Sequence, residues 1–136
     1  MNYLIKARYY LMRKILIDTH ILIWWLTEPD KLKKEHQNIL SDADNIIFVS
    51  VASFFEIGIK EKIGKLKFEG NFEIILIENG FESLPITLMH LETLRTIEFH
   101  HKDPFDMVLI AQAISENIEF ISYDSQFLKT NGLKII

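Results

Sequence analysis

The chain contains no cysteine. That excludes disulfide bridges and thiolate metal sites, and a reducing cytoplasm is the expected setting. Five glycines and three prolines among 136 residues leave little room for disordered stretches. No run approaches the ~18 uninterrupted apolar residues of a membrane-spanning helix, so no membrane association is expected. Residues 1–11 carry Lys6 and Arg8 among tyrosines and leucines. They lack the longer apolar stretch and the small-residue cleavage site of a signal peptide. An excess of positive charge is missing too: 15 Lys and Arg stand against 19 Asp and Glu, for a formal charge of −4. That balance disfavours a simple phosphate-clamping binder, whereas it leaves room for a site that gathers acids.

What is present suffices for one domain: 136 residues, 49% of them apolar, fill a single core. Met12 stands directly before Arg13-Lys14-Ile15-Leu16-Ile17-Asp18. The domain is therefore expected over 12–136, with 1–11 an extension or the product of an upstream start. Apolar, β-branched runs predict strands at 14–17, 46–49 and 118–122, a weaker one at 81–86 that contains Pro85, and a last one at 133–136. Helices are predicted at 20–26, 31–40, 51–63, 71–78, 88–97 and from Pro104 to Asn117, with a short helical turn at 126–129. Ser50 and Asp103-Pro104 are start signals, and Gly64 and Asn79-Gly80 are stops. Leu32, Ile39 and Leu40 are expected inside, and Leu88, Leu91, Leu94 and Ile97 are spaced for one helix face. Strand–helix alternation with short connections implies an α/β fold, a mostly parallel sheet with helices on both faces.

Four acids fall at telling places in this pattern. Asp18 directly follows the first strand, and Asp124 comes within two residues of the strand at 118–122. Glu56 lies in the second turn of the helix after strand 46–49, and Asp106 in the first turn opened by Asp103-Pro104. Ligand sites of open parallel sheets form outside the carboxyl ends of the strands. Carboxylates gathered there repel one another unless cations lie between them. Hard oxygen donors without Cys select Mg²⁺ or Mn²⁺, ions that activate water and neutralise charge on a phosphodiester. Each acid also has an ordinary structural reading. Asp18 is a candidate helix cap, Glu56 a partner of Lys60 at i, i+4, Asp106 a favourable charge at a helix N-terminus and Asp124 a turn residue. Against the second stand Phe54, Phe55, Ile57 and Ile59, which mark a mostly buried helix.

The same residues carry a resemblance. Ile17-Asp18-Thr19-His20 with Leu22 and Trp24-Trp25, Val49-Ser50-Val51-Ala52-Ser53-Phe54-Phe55-Glu56-Ile57 with Lys60, Gly64-Lys65-Leu66, His101-Lys102-Asp103-Pro104-Phe105-Asp106, Leu109-Ile110-Ala111-Gln112-Ala113 and Ser122-Tyr123-Asp124 together resemble PIN-domain proteins. Among these the chain is similar to the VapC toxin ribonucleases of VapBC type II toxin–antitoxin pairs. The resemblance runs from about Lys14 to Ile136, and its specific part is DPFD followed by LIAQA. It implies a three-layer α/β/α PIN fold, Mg²⁺- or Mn²⁺-dependent endoribonuclease activity, inhibition by a cognate antitoxin, and a homodimer. The family's acidic quartet falls on Asp18, Glu56, Asp106 and Asp124, with Thr19 and Ser122 as supporting hydroxyls. One departure is Met107, where relatives of this subgroup often carry Arg after the DPFD acid; a contact to substrate or acid is then missing.

Other residues carry less. Asp103 reads as the cap of the helix begun by Pro104 rather than as a ligand. His20 reads as structural, packed beside the tryptophans, and His100-His101 as a solvated loop without the further ligands a zinc site needs. Trp24 and Trp25 read as core or interface rather than as base-stacking platforms. Lys60, Lys62, Lys65 and Lys67 are readable equally as phosphate contacts and as a solvated face interrupted by Glu61 and Glu69. Phe54, Phe55, Phe68 and Phe72 are readable as a groove for an antitoxin helix or as core. Two rivals accompany the ribonuclease reading: a PIN-type nuclease for DNA or structured nucleic acid, and a non-catalytic PIN-like module that binds a partner protein.

Overall fold

Strand β1 (Lys14–Ile17) is the middle of a five-stranded, all-parallel sheet of order β3-β2-β1-β4-β5. The computed structural model describes residues 2–100 and 102–136. On one side β1 pairs with β2 (Ile46–Ser50), placing Ile17 opposite Val49. On the other it pairs with β4 (Glu119–Ile121), placing Ile17 opposite Ile121. Short strands β3 (Glu82–Leu84) and β5 (Lys134–Ile135) close the edges. Parallel strands need crossovers, and these are helical: α2 (Thr19–Thr27) and α3 (Lys34–Ser41) between β1 and β2, α4 (Val51–Lys62) and α5 (Phe72–Asn79) between β2 and β3, and α6 (Leu88–Thr96) and α7 (Pro104–Glu116) between β3 and β4.

The two-residue period of a strand sorts the apolar residues to opposite faces. Ile15 and Ile17 join Ile47, Val49 and Ile121 in one core, beneath Ile21 and Leu22 of α2, Ile39 and Leu40 of α3 and Ile57 of α4. Leu16 and Phe120 join Leu109, Ile110 and Ala113 of α7 and Phe127 in the other. The three-layer α/β/α arrangement expected from the sequence is therefore present. Among the described residues no helix is long and apolar enough to cross a membrane.

Four local differences from the sequence reading have physical causes. Residues before β1 form helix α1 (Tyr3–Leu11), with Tyr3, Leu4, Tyr10 and Leu11 in solvent. The helix predicted at 31–40 splits into a 3₁₀ turn, Pro29–Lys31, and α3; Leu32 between them is extended and enters the core. The side-chain amide of Gln37 donates to the carbonyls of Pro29 (3.1 Å) and Leu32 (3.0 Å) at that break. The turn near residue 126 is likewise 3₁₀, Ser125–Lys129. In α6 the leucine spacing does not mark the buried face: Leu88 and Leu91 are exposed, and His90 is buried. A capping box explains this, because Thr87 N–H donates to His90 Nδ1 (3.1 Å), turning the ring inward to meet Glu116 at 2.6 Å.

Candidate active site

The strand order reverses about β1, so a crevice opens beyond the carboxyl ends of β1 and β4, the expected ligand position in such sheets. Asp18 leaves β1 here, and its backbone N–H donates to the Ile121 carbonyl of β4 (3.1 Å). The Asp18 carboxylate caps α2 by accepting from Ile21 N–H at 2.8 Å and is nearly fully buried. Asp124 follows β4 and accepts from Gln126 N–H at 3.0 Å, and its own N–H donates to the Ser122 hydroxyl (3.1 Å). Asp18 and Asp124 line one cavity of about 210 Å³ together with His20, Ile21, Trp24 and Tyr123. Burial pushes the Asp18 carboxyl above its ordinary range and the Asp124 charge adds to this; hydrogen bonds from Ser122 and Ile21 and the charge of His20 oppose it.

Glu56 and Asp106 reach the site from helices. Ser50 caps α4 by accepting from Ala52 N–H (3.0 Å), and Glu56 follows as a buried residue bonded to Lys60 Nζ at 2.6 Å. The buried character of the helix and the i, i+4 pair are thus both realised. Asp103 caps α7, accepting from the N–H groups of Phe105 (2.9 Å) and Asp106 (3.1 Å). Asp106 then stands half-buried, and its carboxyl is pushed up to about 7 by burial first, then by the charges of Asp103, Glu56, Asp18 and Asp124. The charges of Glu56, Asp18 and Asp124, from three other parts of the chain, thus all reach Asp106.

Hydroxyls and an amide lace the helix starts together. Thr19 Oγ1 donates to Ser53 Oγ at 2.9 Å, joining α2 to α4. Ser50 Oγ donates to Gln112 Oε1 at 2.5 Å, joining α4 to α7. Thr19, Ser50, Ser53 and Gln112 are all buried. The all-oxygen donor set fits Mg²⁺ or Mn²⁺ in kind. In spacing, no three acids or histidines among the described residues stand close enough to hold one ion as placed. Lys60 instead occupies one Glu56 oxygen.

Several expectations divide. Phe54 is buried and stacks on Phe72 (4.6 Å between ring centres), which meets Phe68, so these three belong to the core; Phe55 is exposed beside Phe105. Lys62, Lys65 and Lys67 are exposed. His100 is exposed and His101 lies outside the described residues. His20 is exposed on the cavity wall, 6.3 Å from the Trp24 ring. Sequence reading passed over Tyr123 and His36. The Tyr123 hydroxyl sits 2.7 Å from His36 Nδ1 and accepts from Lys33 N–H at 2.9 Å. His36 Nε2 donates to the Ile136 carbonyl at 3.0 Å. Only contacts between residues far apart in sequence reveal that network.

The chain belongs to the PIN-domain family: the family model matches residues 15–133. PIN domains are generally nucleases that use divalent metals. No curated protein matches the sequence. Among solved structures it is similar to VapBC2 from Rickettsia felis bound to a DNA fragment from their promoter, at TM-score 0.67 and 15% identity over 90% of this chain and 97% of that one. It is also similar to a toxin-antitoxin complex from Klebsiella pneumoniae, at TM-score 0.60 and 20% identity over 90% and 95%. A third is VapBC-1 from nontypeable Haemophilus influenzae, at TM-score 0.61 and 16% identity over 90% and 96%.

Proposed function

We propose that this chain is a Mg²⁺- or Mn²⁺-dependent endoribonuclease, the toxin of a type II toxin–antitoxin pair, acting in the cytoplasm and held in check by a cognate antitoxin. The observation that carries the reading is the placement of Asp18 and Asp124 on one cavity beyond the carboxyl ends of β1 and β4, with Asp106 near enough to feel the charges of both and of Glu56. Likeness to toxin–antitoxin complexes supports the antitoxin partner. An exposed apolar row along α4 and its C-terminal cap, Val51, Phe55, Ile59 and Ile63, supports protein partners, including a second copy in a homodimer. The catalytic domain is 12–136.

Asp18 and Asp106 would hold the metal directly, Asp124 would complete the site, and Glu56 would exchange Lys60 for the ion or orient water. The ion would supply charge neutralisation and an activated water for hydrolysis of an RNA phosphodiester. The chain's own residues do the positioning. Ser122 and Ile21 N–H fix the Asp18 carboxylate, Asp103 fixes the turn that carries Asp106, and Thr19–Ser53 fixes the start of α2 against α4.

Asp18→Asn is expected to abolish Mg²⁺- or Mn²⁺-dependent RNA cleavage; unchanged cleavage refutes the assignment. Competing single-stranded RNA and DNA substrates in one assay decides between the ribonuclease and a DNA-directed nuclease. One observation favours the non-catalytic module: Asp18, Glu56 and Asp124 already bond within the chain. Calorimetric titration with Mn²⁺ separates the two, since absence of heat supports the module.

A further inference from the structure

We propose that the cavity beside Asp18 and Asp124 is a pocket for one nucleobase of the substrate, with Trp24 as its main stacking ring and His20 and Tyr123 beside it. The inference rests on the ribonuclease reading and specifies how that site meets its substrate. The cavity is lined by the two acids, by Ile21 and by the aromatic residues His20, Trp24 and Tyr123. Trp24 lies 6.3 Å from the His20 ring and 5.9 Å from the Tyr123 ring, and Tyr123 stacks in turn on His36 at 5.3 Å.

Three features distinguish this wall from ordinary core packing. First, it borders solvent: His20 is exposed and Trp24 and Tyr123 are only partly buried. Second, it is held in place. Tyr123 O–H donates to His36 Nδ1, since His36 Nε2–H is committed to the Ile136 carbonyl, and the same hydroxyl accepts from Lys33 N–H. A ring so tethered loses little freedom when a flat ligand packs on it. Third, cations flank it. Lys31 Nζ lies 5.5 Å from the Trp24 ring centre and Lys33 Nζ 5.3 Å from that of Tyr123, and neither lysine lines the cavity. The ring residues thus line the cavity while Lys33, and Lys31 with its partner Glu28 at 3.0 Å, stand outside it, where the phosphates flanking a bound base would pass. Aromatic faces joined to nearby cations are the combination that holds single-stranded nucleic acid. The 210 Å³ volume is below the ~300 Å³ lower end of pockets for larger ligands, which suits one base.

The test measures binding of a short fluorescent single-stranded RNA to the full chain by anisotropy, with EDTA present so that cleavage does not intervene. Trp24→Leu is expected to weaken binding roughly 5- to 100-fold, the range for loss of one base–aromatic stack. Trp24→Phe, which keeps a ring, should retain most of the affinity, and the parent should bind a matching RNA hairpin stem more weakly than the single strand. A folded Trp24→Leu chain that binds within twofold of the parent overturns the proposal, as does equal affinity for stem and single strand. Should Trp24→Leu fail to fold, His20→Ala removes an exposed ring without touching the core, and unchanged affinity there overturns it as well. The readout is independent of the ribonuclease reading: Trp24-dependent binding without metal-dependent cleavage sinks that reading alone. Cleavage lost in Asp18→Asn, with binding indifferent to Trp24, sinks the pocket alone.

Discussion

The two halves of the candidate site are built differently. Asp18 and Asp124 stand just beyond strand ends, and each caps the helical turn that follows. Their carboxylates serve the fold as well as any ligand. Glu56 and Asp106 stand inside helices whose starts are capped by other residues, Ser50 and Asp103. Asp106 sits where burial and four neighbouring carboxylates oppose its charge. Asp18 thus caps a helix although burial opposes its charge, whereas Asp106 lies inside a helix where burial and neighbouring charges both oppose its own.

The largest effect should be common to both halves: Asp18→Asn and Asp106→Asn each lower metal-dependent RNA cleavage by at least on the order of 100-fold, read as kcat/KM. Stability should then separate them. A carboxyl whose folded pKa is raised to about 7 gives its full stability at low pH and loses it as pH rises through that value. Asp106→Asn removes the loss. In EDTA its Tm should exceed the parent's at pH 8 by roughly 1–2 kcal/mol equivalent, a figure discounted because the group is partly open to water, and by less at pH 5. A lower Tm at pH 8 breaks the contrast. Asp18→Ala goes the other way, losing a helix cap and about 1 kcal/mol by denaturant titration, while Asp18→Asn retains the cap. The smallest effect concerns His36 behind Tyr123. Burial lowers its pKa from the ordinary 6.5, so stability is full above that pH and falls as pH drops through the lower folded value. Because Asp106 titrates in the opposite sense over the same range, the check is a difference: in thermal melts from pH 7.5 to 5, His36→Asn should gain on the parent as pH falls.

Much of the architecture could be read from residue pattern alone. β-Branched runs located the sheet, and Ser50, Asp103-Pro104 and Gly80 marked helix ends because each satisfies backbone groups locally. The four acids were identified by position relative to strand ends, for the same local reason. What escaped was decided by distant partners. Leucine spacing misled in α6 because Thr87 and Glu116 draw His90 inward. Trp24, read as core or interface, does pack against the core; that it also lines a cavity depends on Tyr123, brought beside it by the pairing of β1 with β4. Glu56 was balanced between two readings that proved compatible, since a half-buried lysine reaches it at one helical turn.

The pairing of β1 with β4 has a consequence for synthesis. The first strand to leave the ribosome must wait for a neighbour encoded some hundred residues later, as Ile15 opposite Glu119 attests. Such long-range closure is slow compared with helix formation. Asp18, Glu56 and Asp106 all emerge before Asp124 does, so a nascent chain carries an incomplete crevice. Translation order itself therefore delays completion of the crevice until its last acid has been made.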